Sequence, residues 1–562
     1  MIRNREKLIQ DPVHGYITIK PEFVNILNSI QFQRLKHVNQ SSFRVLYPGA
    51  THDRFIHSLG TYHLAEKAIQ NFLKNIKEDI NNDILCLSTD TEELLSNTFL
   101  YASLLHDVGH APFSHTGEKF FARKRTEDSQ MRQIDVGLLD AIRGLKEETI
   151  ISENVYQEFV EEYKGLIRKN GPSPHEIVSA TMLIKDRKEF WKEDSDKIDY
   201  ELATRMVIGL KYDPSSGNED YRHEKEIRNC LINLLNSKCL DVDKLDYICR
   251  DTKMTGFSNV QVDIERITTA FTAVESSHGY ELAFRKNMLS VIENVFRAKV
   301  EQGTWLISHP AVVYENNLIE RCIDFIDKSE TSQKHNYVER VFSYEALTEQ
   351  GICYRERNYR LLSDIDILTD FKHFGWREEN EAIHEYFDRS RRRKPLWKSY
   401  KEFLYFFYEK DSNVDITERA SNVYNFFKKL IDYLEDENEV LNKYTFKKIE
   451  KLKDDTEMKE IYERALLLKK ICEKSNVEFD MALISVKNDF ANKISTDDIY
   501  IKFSGNGDEA LIPYKLLQDK VGEKTIPFFY IYNKQPLEKE WFRCKVLEAC
   551  KGDENNVAIC SF

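Results

Sequence analysis

Leu104-Leu105-His106-Asp107-Val108-Gly109-His110-Ala111-Pro112-Phe113-Ser114-His115 is the stretch whose reading decides this chain. An apolar run through Phe99, Leu100, Ala102, Leu104 and Leu105 leads into it, so three histidines and an aspartate gather at the end of a predicted helix. An adjacent His-Asp pair offers an imidazole and a carboxylate to one divalent metal, provided that other ligands arrive from elsewhere. The dipeptide alone is common. The rest of the chain has to supply its partners.

Upstream, Arg54-Phe55-Ile56-His57-Ser58-Leu59-Gly60 opens a helix whose Leu59, Tyr62, Ala65, Ile69 and Phe72 recur every three or four residues as one buried stripe. Downstream, residues 240–251 set charges among apolar positions, with Asp243, Lys244, Tyr247 and Asp251 on one side of a helix. His57, His106, Asp107 and Asp243 therefore stand out as metal ligands. Two imidazoles and two carboxylates suit Mn, Fe, Mg or Zn in an open site. His14 and His52 lack such support and read as ordinary loop histidines.

Composition bounds the rest. The chain has 562 residues, 41% hydrophobic and 31% charged, as in a soluble globular protein of several units. It has no run of about 18 apolar residues to span a membrane, and the charged start Met-Ile-Arg-Asn-Arg-Glu-Lys lacks an apolar signal region. Ten cysteines without a C-x-x-C pair read as thiols of a reducing cytoplasm. A net charge of -13 argues against coating nucleic acid, whereas a nucleotide needs only a local positive pocket.

Residues 9–15 read as a turn, 16–19 as a strand and 21–40 as a helix. Residues from about 119 to 170 are charged and partly helical, and Ser173 with Glu176 caps a further helix. Past Lys328 come polar helices with aromatics and the basic run at 389–394. Beyond about 480, strands at 499–503 and 526–532 flank a predicted helix at 514–520. The expected fold is mainly α, with short N-terminal β elements, a helical extension and a small C-terminal α/β region.

The order His…His-Asp…Asp, together with QDPVHGYITI, QFQRLKHVNQ, PGATHDRFIHSLG, LLHDVGHAPFSH and LDVDKLDYICRD, resembles the deoxynucleoside triphosphate triphosphohydrolase (dNTPase) branch of the HD-domain phosphohydrolases. The resemblance covers residues from about 5 to 325. It implies an HD core at 1–327 with a helical insertion at about 119–170, while the changes of pattern past 328 and near 480 mark an expected helical regulatory and oligomerisation region at 328–479 and an α/β appendage at 480–562. The implied activity is metal-dependent hydrolysis at the α-phosphorus, releasing deoxynucleoside and inorganic triphosphate. His115 would be the general acid with Glu118 orienting it, and His110 and His175 would face the phosphates. Arg54, Lys244 and Lys299 would meet the triphosphate, and Gln40, Tyr247 and Asp251 the sugar. Lys299 stands where relatives carry arginine, and Ile307 where they carry a sugar-stacking tyrosine, with Trp305 the nearby ring that could replace it.

The resemblance also implies a cytoplasmic homotetramer activated by a nucleotide at Lys7, Gln10, Asn28, Gln33 and Lys36. Asn28 in place of an aspartate fits an effector such as dTTP better than GTP, because an amide offers one acceptor and one donor. Bacterial relatives can deplete dNTPs against phage, so antiviral defence is implied by resemblance alone. Alternative readings are an HD phosphodiesterase or nuclease on oligo- or cyclic nucleotides, and a nucleotide sensor that mainly binds. The basic run with Trp397 reads as a solvated helix end, an arm over effector phosphates, or a nucleic-acid contact, the last not favoured.

Overall fold

A computed structural model describes residues 5–79, 88–121, 132–169, 171–191, 195–215, 222–238, 240–257, 261–276, 279–329, 337–354, 356–377, 380–406, 418, 420–425, 427–428, 481–486, 500–505, 508–513, 528–534 and 539–551. The fold is mainly α with short β elements, as expected. The helix expected at 514–520 lies outside the described residues. The chain divides into two compact units, each assembled from separated segments: 1–302, 330–369 and 492–521 in the first, 303–329, 370–491 and 522–562 in the second.

The first unit begins with an antiparallel hairpin of β1 (Lys7–Asp11) and β2 (Gly15–Ile19), which narrows the expected turn to residues 12–14. The single helix expected at 21–40 is broken instead. Helix α1 (Val24–Asn28) stops at Ser29, whose extended backbone and side chain cap α2 (Ile30–Arg34) by accepting from Phe32 N. A serine with its own hydroxyl competes with the helix ladder, and here it restarts the helix.

Helix α3 (Arg54–Asp79) buries Leu59, Tyr62, Ala65, Ile69 and Phe72, its predicted stripe. Leu59, Ile69 and Phe72 each contribute about 1.5–3 kcal/mol by leaving water. It packs against α4 (Thr89–Leu105), which Ser88 caps and which is buried on nearly every side through its last three turns. A helix sunk that deeply delivers His106 and Asp107, just past its C-terminal end, into the interior.

Next come α5 (His115–Phe121), then α6 (Gln133–Glu147) and α7 (Glu153–Lys169) in the segment expected to be partly helical, and α8 (Pro174–Lys185). The predicted cap holds, since Ser173 N donates to Glu176 Oε2 at 2.6 Å. After α9 (Arg187–Phe190), α10 (Tyr200–Ile208) and α11 (Arg222–Leu235), helix α12 (Val242–Thr255) starts at Asp241, which accepts from Lys244 N at 2.7 Å. Helix α12 lies against α3. The hairpin of β3 (Phe271–Ser276) and β4 (Gly279–Arg285) precedes α13 (Leu289–Gln302), a helix that packs on α12. Far along the chain, β5 (Tyr500–Gly505) adds parallel to β4 and β6 (Asp508–Pro513) pairs with β5, so the sheet order is β6-β5-β4-β3.

In the second unit, α14 (Pro310–Lys328) packs on α15 (Glu381–Phe387), and β7 (Lys394–Pro395), β8 (Phe528–Asn533) and β9 (Met481–Val486) form a sheet with β8 central. The strands expected beyond residue 480 thus form, but they enter two different sheets. In the basic run, Arg392 Nη1 meets Glu315 Oε2 at 2.6 Å and Arg393 pairs with Glu385, while Arg389 and Arg391 stay exposed. Trp397 is buried and donates Nε1 to Phe529 O at 2.7 Å, so it is a core residue. Trp305 and Ile307 lie exposed on a π-helical turn, Gly303–Ile307. Among the described residues, no helix is long and apolar enough to cross a membrane.

Candidate metal centre and histidine cluster

Helix α3 supplies His57, the end of α4 supplies His106 and Asp107, and the first turn of α12 supplies Asp243. His57 Nε2 lies 3.0 Å from Asp243 Oδ1 and 3.4 Å from Asp107 Oδ2. His106 Nε2 lies 3.4 Å from Asp107 Oδ1 and 3.6 Å from Asp243 Oδ1. Neighbouring ligands around an ion with bonds of about 2.0–2.2 Å have this spacing. His57 Nδ1 is bonded to Asp246 Oδ2 at 2.7 Å and His106 Nδ1 to Ser103 O at 2.8 Å. With those protons placed on Nδ1, both Nε2 lone pairs point at the carboxylates, and neither atom has a hydrogen-bond partner. Lone pairs and carboxylates converging in a buried space require a cation. The donor set therefore fits a divalent metal, although nothing in it selects one.

The local field agrees. Burial opposes charge on His57, but the surrounding carboxylates of Asp243, Asp246 and Asp107 push its pKa up to about 10, a pull toward positive charge that a metal cation would answer in place of a proton. Asp243 is held well below the usual carboxylate range, because His106 and His57 outweigh its burial. Asp107 is depressed likewise, by His106 and Arg54 against burial. Arg54, expected to meet phosphates, is buried and turned to the centre: Nη1 donates to Asp107 Oδ2 at 2.7 Å, Nε to Ser114 Oγ at 2.9 Å and Nη2 to Gln40 O at 3.3 Å.

Beside the centre, the Glu118 carboxylate gathers three imidazoles. Its Oε1 lies 2.7 Å from His115 Nδ1, 2.9 Å from His175 Nδ1 and 3.3 Å from His110 Nδ1. His110 and His175 stack at 4.0 Å, and His110 Nε2 reaches Asp107 Oδ1 at 3.2 Å. Burial, together with Arg54 and His175, keeps His110 neutral, while Glu118 carries His175 up to about 9 against its burial. His175 and His115 hold Glu118 ionised in spite of burial. His115 alone of the three is open, with 68% of its side chain exposed.

The loop from His106 to His115 is pinned from outside. Arg34, buried on α2, donates Nη2 to Val108 O at 2.8 Å and His110 O at 2.9 Å, and Nη1 to Leu362 O at 2.7 Å. Asp364 accepts from Phe113 N at 2.6 Å and from Asn39 Nδ2 at 2.6 Å. Phe113 and Ser114 have φ of 61° and 51°, a left-handed strain that these bonds offset. A Cβ on Gly109 would lie 2.3 Å from Ser179 N, so only glycine lets the loop meet α8 this closely.

The other expected residues are placed as follows. Lys244 Nζ bonds Asp241 Oδ2 at 2.7 Å, and Tyr247 is half-buried one turn further along α12. Asp251 is buried, taking His52 Nε2 at 2.7 Å and Gln302 Nε2 at 2.6 Å. Gln40 Oε1 is buried without a partner. Lys299 is half-buried on α13. Lys7 Nζ meets Asn28 Oδ1 at 2.6 Å, Gln33 Nε2 bonds Leu27 O at 2.6 Å, Lys36 sits over Phe55, and Gln10 is exposed. Sequence reasoning passed over Asp246, His14, His52, Gln302, Arg34 and Asp364. His14 is no ordinary loop histidine, for its Nε2 is 2.6 Å from Asp246 Oδ1. The one available signal was Asp246 itself, three residues after Asp243 on a charged helix.

No family model matches the chain. It is similar to the deoxynucleoside triphosphate triphosphohydrolase SAMHD1 of Gallus gallus, 27% identical over 300 residues that form 52% of this chain and 41% of that protein. It is also similar to SAMHD1 of Xenopus laevis, 29% identical over 262 residues, 45% of this chain and 35% of that protein. The chain thus spans less than half the length of these relatives. A solved structure of a hypothetical protein from Aquifex aeolicus matches 96% of this chain and 100% of its own with a TM-score of 0.51 and 17% identity, a likeness of fold. The sequence matches support the HD dNTPase-like family expected from the motifs.

Proposed function

We propose that this chain hydrolyses deoxynucleoside triphosphates to deoxynucleoside and inorganic triphosphate. The observation that carries the reading is the adjacency of two clusters, four convergent metal donors and a carboxylate facing three imidazoles. The relatives named triphosphohydrolases support it. A divalent metal on His57, His106, Asp107 and Asp243 would supply Lewis-acid polarisation of a phosphate oxygen.

The chain's own groups account for the remaining work. Glu118 faces His115, His110 and His175 at Nδ1, which leaves Nε2 of His115 and His175 for substrate, while His110 Nε2 faces Asp107. The open His115 is the group placed to protonate the leaving 5′-oxygen, with Glu118 orienting its ring through Nδ1. His110 and His175 bind phosphate oxygens. Arg54 holds Asp107 in place, and Lys244 and Lys299 supply positive charge. Tyr247, Asp251 and Gln40 contact the sugar. Activation by a nucleotide at Lys7, Gln10, Asn28, Gln33 and Lys36, dTTP in preference to GTP, and assembly as a homotetramer belong to the same proposal and rest on the resemblance.

The test incubates purified protein and MnCl2 or MgCl2 with each dNTP, alone and in pairs, and resolves products by chromatography. Intact triphosphate with deoxynucleoside supports the reading. Nucleoside monophosphate from oligo- or cyclic nucleotides, without triphosphate from any dNTP, overturns it in favour of a phosphodiesterase. Equal turnover of dGTP and GTP would remove its deoxy selectivity.

A further inference from the structure

The Asp246 carboxylate is wholly buried and accepts four bonds. Oδ2 takes His57 Nδ1 at 2.7 Å and Arg250 Nε at 2.8 Å, while Oδ1 takes His14 Nε2 at 2.6 Å and Arg250 Nη2 at 2.9 Å. An ionised carboxylate only accepts, so it commits the His57 proton to Nδ1 and aims the Nε2 lone pair at Asp107 and Asp243. His14 sits in the turn between β1 and β2, outside the metal cluster. Asp11 shapes that turn, accepting from Val13 N and His14 N at 2.8 Å, and its other oxygen takes Arg250 Nη1 at 2.8 Å. The hairpin and a candidate metal ligand therefore share one carboxylate. Gly60 makes room for it, since a Cβ there would stand 1.9 Å from Asp246 Oδ1.

We propose that Asp246 is a positioning residue for the metal centre and that, through His14, it ties metal affinity to the seating of the β1–β2 hairpin. The proposal rests on reading His57, His106, Asp107 and Asp243 as metal ligands. With His14 gone, Oδ1 loses a donor, and the carboxylate that aligns His57 is less firmly held. Linkage then requires the reverse as well: metal binding must favour the seated hairpin by the same factor.

The experiment uses the full chain stripped of metal by a chelator and titrated with Mn2+, the free ion being followed by electron paramagnetic resonance. His57→Ala must lose the tight site. His14→Ala should weaken Mn2+ binding by about 10- to 100-fold, as loss of an outer partner of a metal ligand does. His14→Gln, whose side-chain N–H can reach the same carboxylate oxygen, should recover to within about threefold of the unaltered protein. Mn2+ should slow amide hydrogen exchange over residues 7–19 in the unaltered chain and not in His14→Ala. If His14→Ala binds Mn2+ as the unaltered chain does, or if His14→Gln is as weak as His14→Ala, the proposal is overturned. If His57→Ala keeps full affinity, the metal reading falls and takes the proposal with it.

Discussion

Substituting Gly60 by alanine sets two effects of opposite sign against each other. In a helix interior the exchange ordinarily gains about 1 kcal/mol, because glycine loses more backbone freedom on folding. Here the new Cβ would lie 1.9 Å from Asp246 Oδ1 and 2.3 Å from Arg250 Nη2. Reaching an ordinary contact of 3.4 Å would draw the carboxylate away from Arg250, His14 and His57, whose bonds to it span 2.6 to 2.9 Å. Disrupting a buried ion pair costs about 3–5 kcal/mol, which leaves a net loss of about 2–4 kcal/mol. Urea unfolding measures it as a shift of midpoint at constant slope. Gly165→Ala on α7 is the control, because nothing stands within 4 Å of its Cβ; it should be neutral or up to about 1 kcal/mol more stable. Gly60→Ala behaving like Gly165→Ala would refute the packing argument.

Three further outcomes can be checked separately. His115→Gln should keep the Mn2+ affinity and lower turnover by about 10²–10⁴-fold, the usual worth of a general acid; unchanged turnover would remove it from that role. Burial, aided by nearby Glu189, lifts Asp186 from 3.8 to about 6. The folded chain then holds that proton more tightly than the unfolded one, so its stabilising contribution is complete below pH 3.8 and is lost as pH rises through about 6. Asp186→Asn should accordingly gain stability at pH 8, up to about 3 kcal/mol, and less at pH 5; an equal gain at both would contradict this. Arg34→Met leaves the Val108, His110 and Leu362 carbonyls without their donor, and should cost about 3 kcal/mol in urea midpoint, together with turnover; a neutral result would mean that the loop holds itself.

Much of the fold was legible because helical burial repeats locally. The α3 stripe, the apolar run of α4 and the Ser173–Glu176 cap all fall within a few turns of chain. The four candidate donors were legible for a related reason: His106 and Asp107 are adjacent, and His57 and Asp243 each sit near the start of a patterned helix. The outer partners follow no such rule. His14 meets Asp246 across 232 residues and His52 meets Asp251 across 199, and each looks like any other loop histidine until the chain is folded. The break at Ser29 was hidden by apolar spacing that continues across it. Arg34 likewise sits among ordinary helix residues, although its guanidinium is spent on carbonyls far away in sequence.

The bond from Phe113 to Asp364 has a temporal side. The two residues are 251 positions apart, so a ribosome that has released the loop must still add a long stretch before its anchor exists. At about 5–20 residues per second, that interval is roughly 12–50 s. Throughout it the nascent chain has the histidines but lacks the carboxylate that holds their loop in its left-handed turn. The centre would therefore mature late in synthesis, after most of the helices around it have already packed.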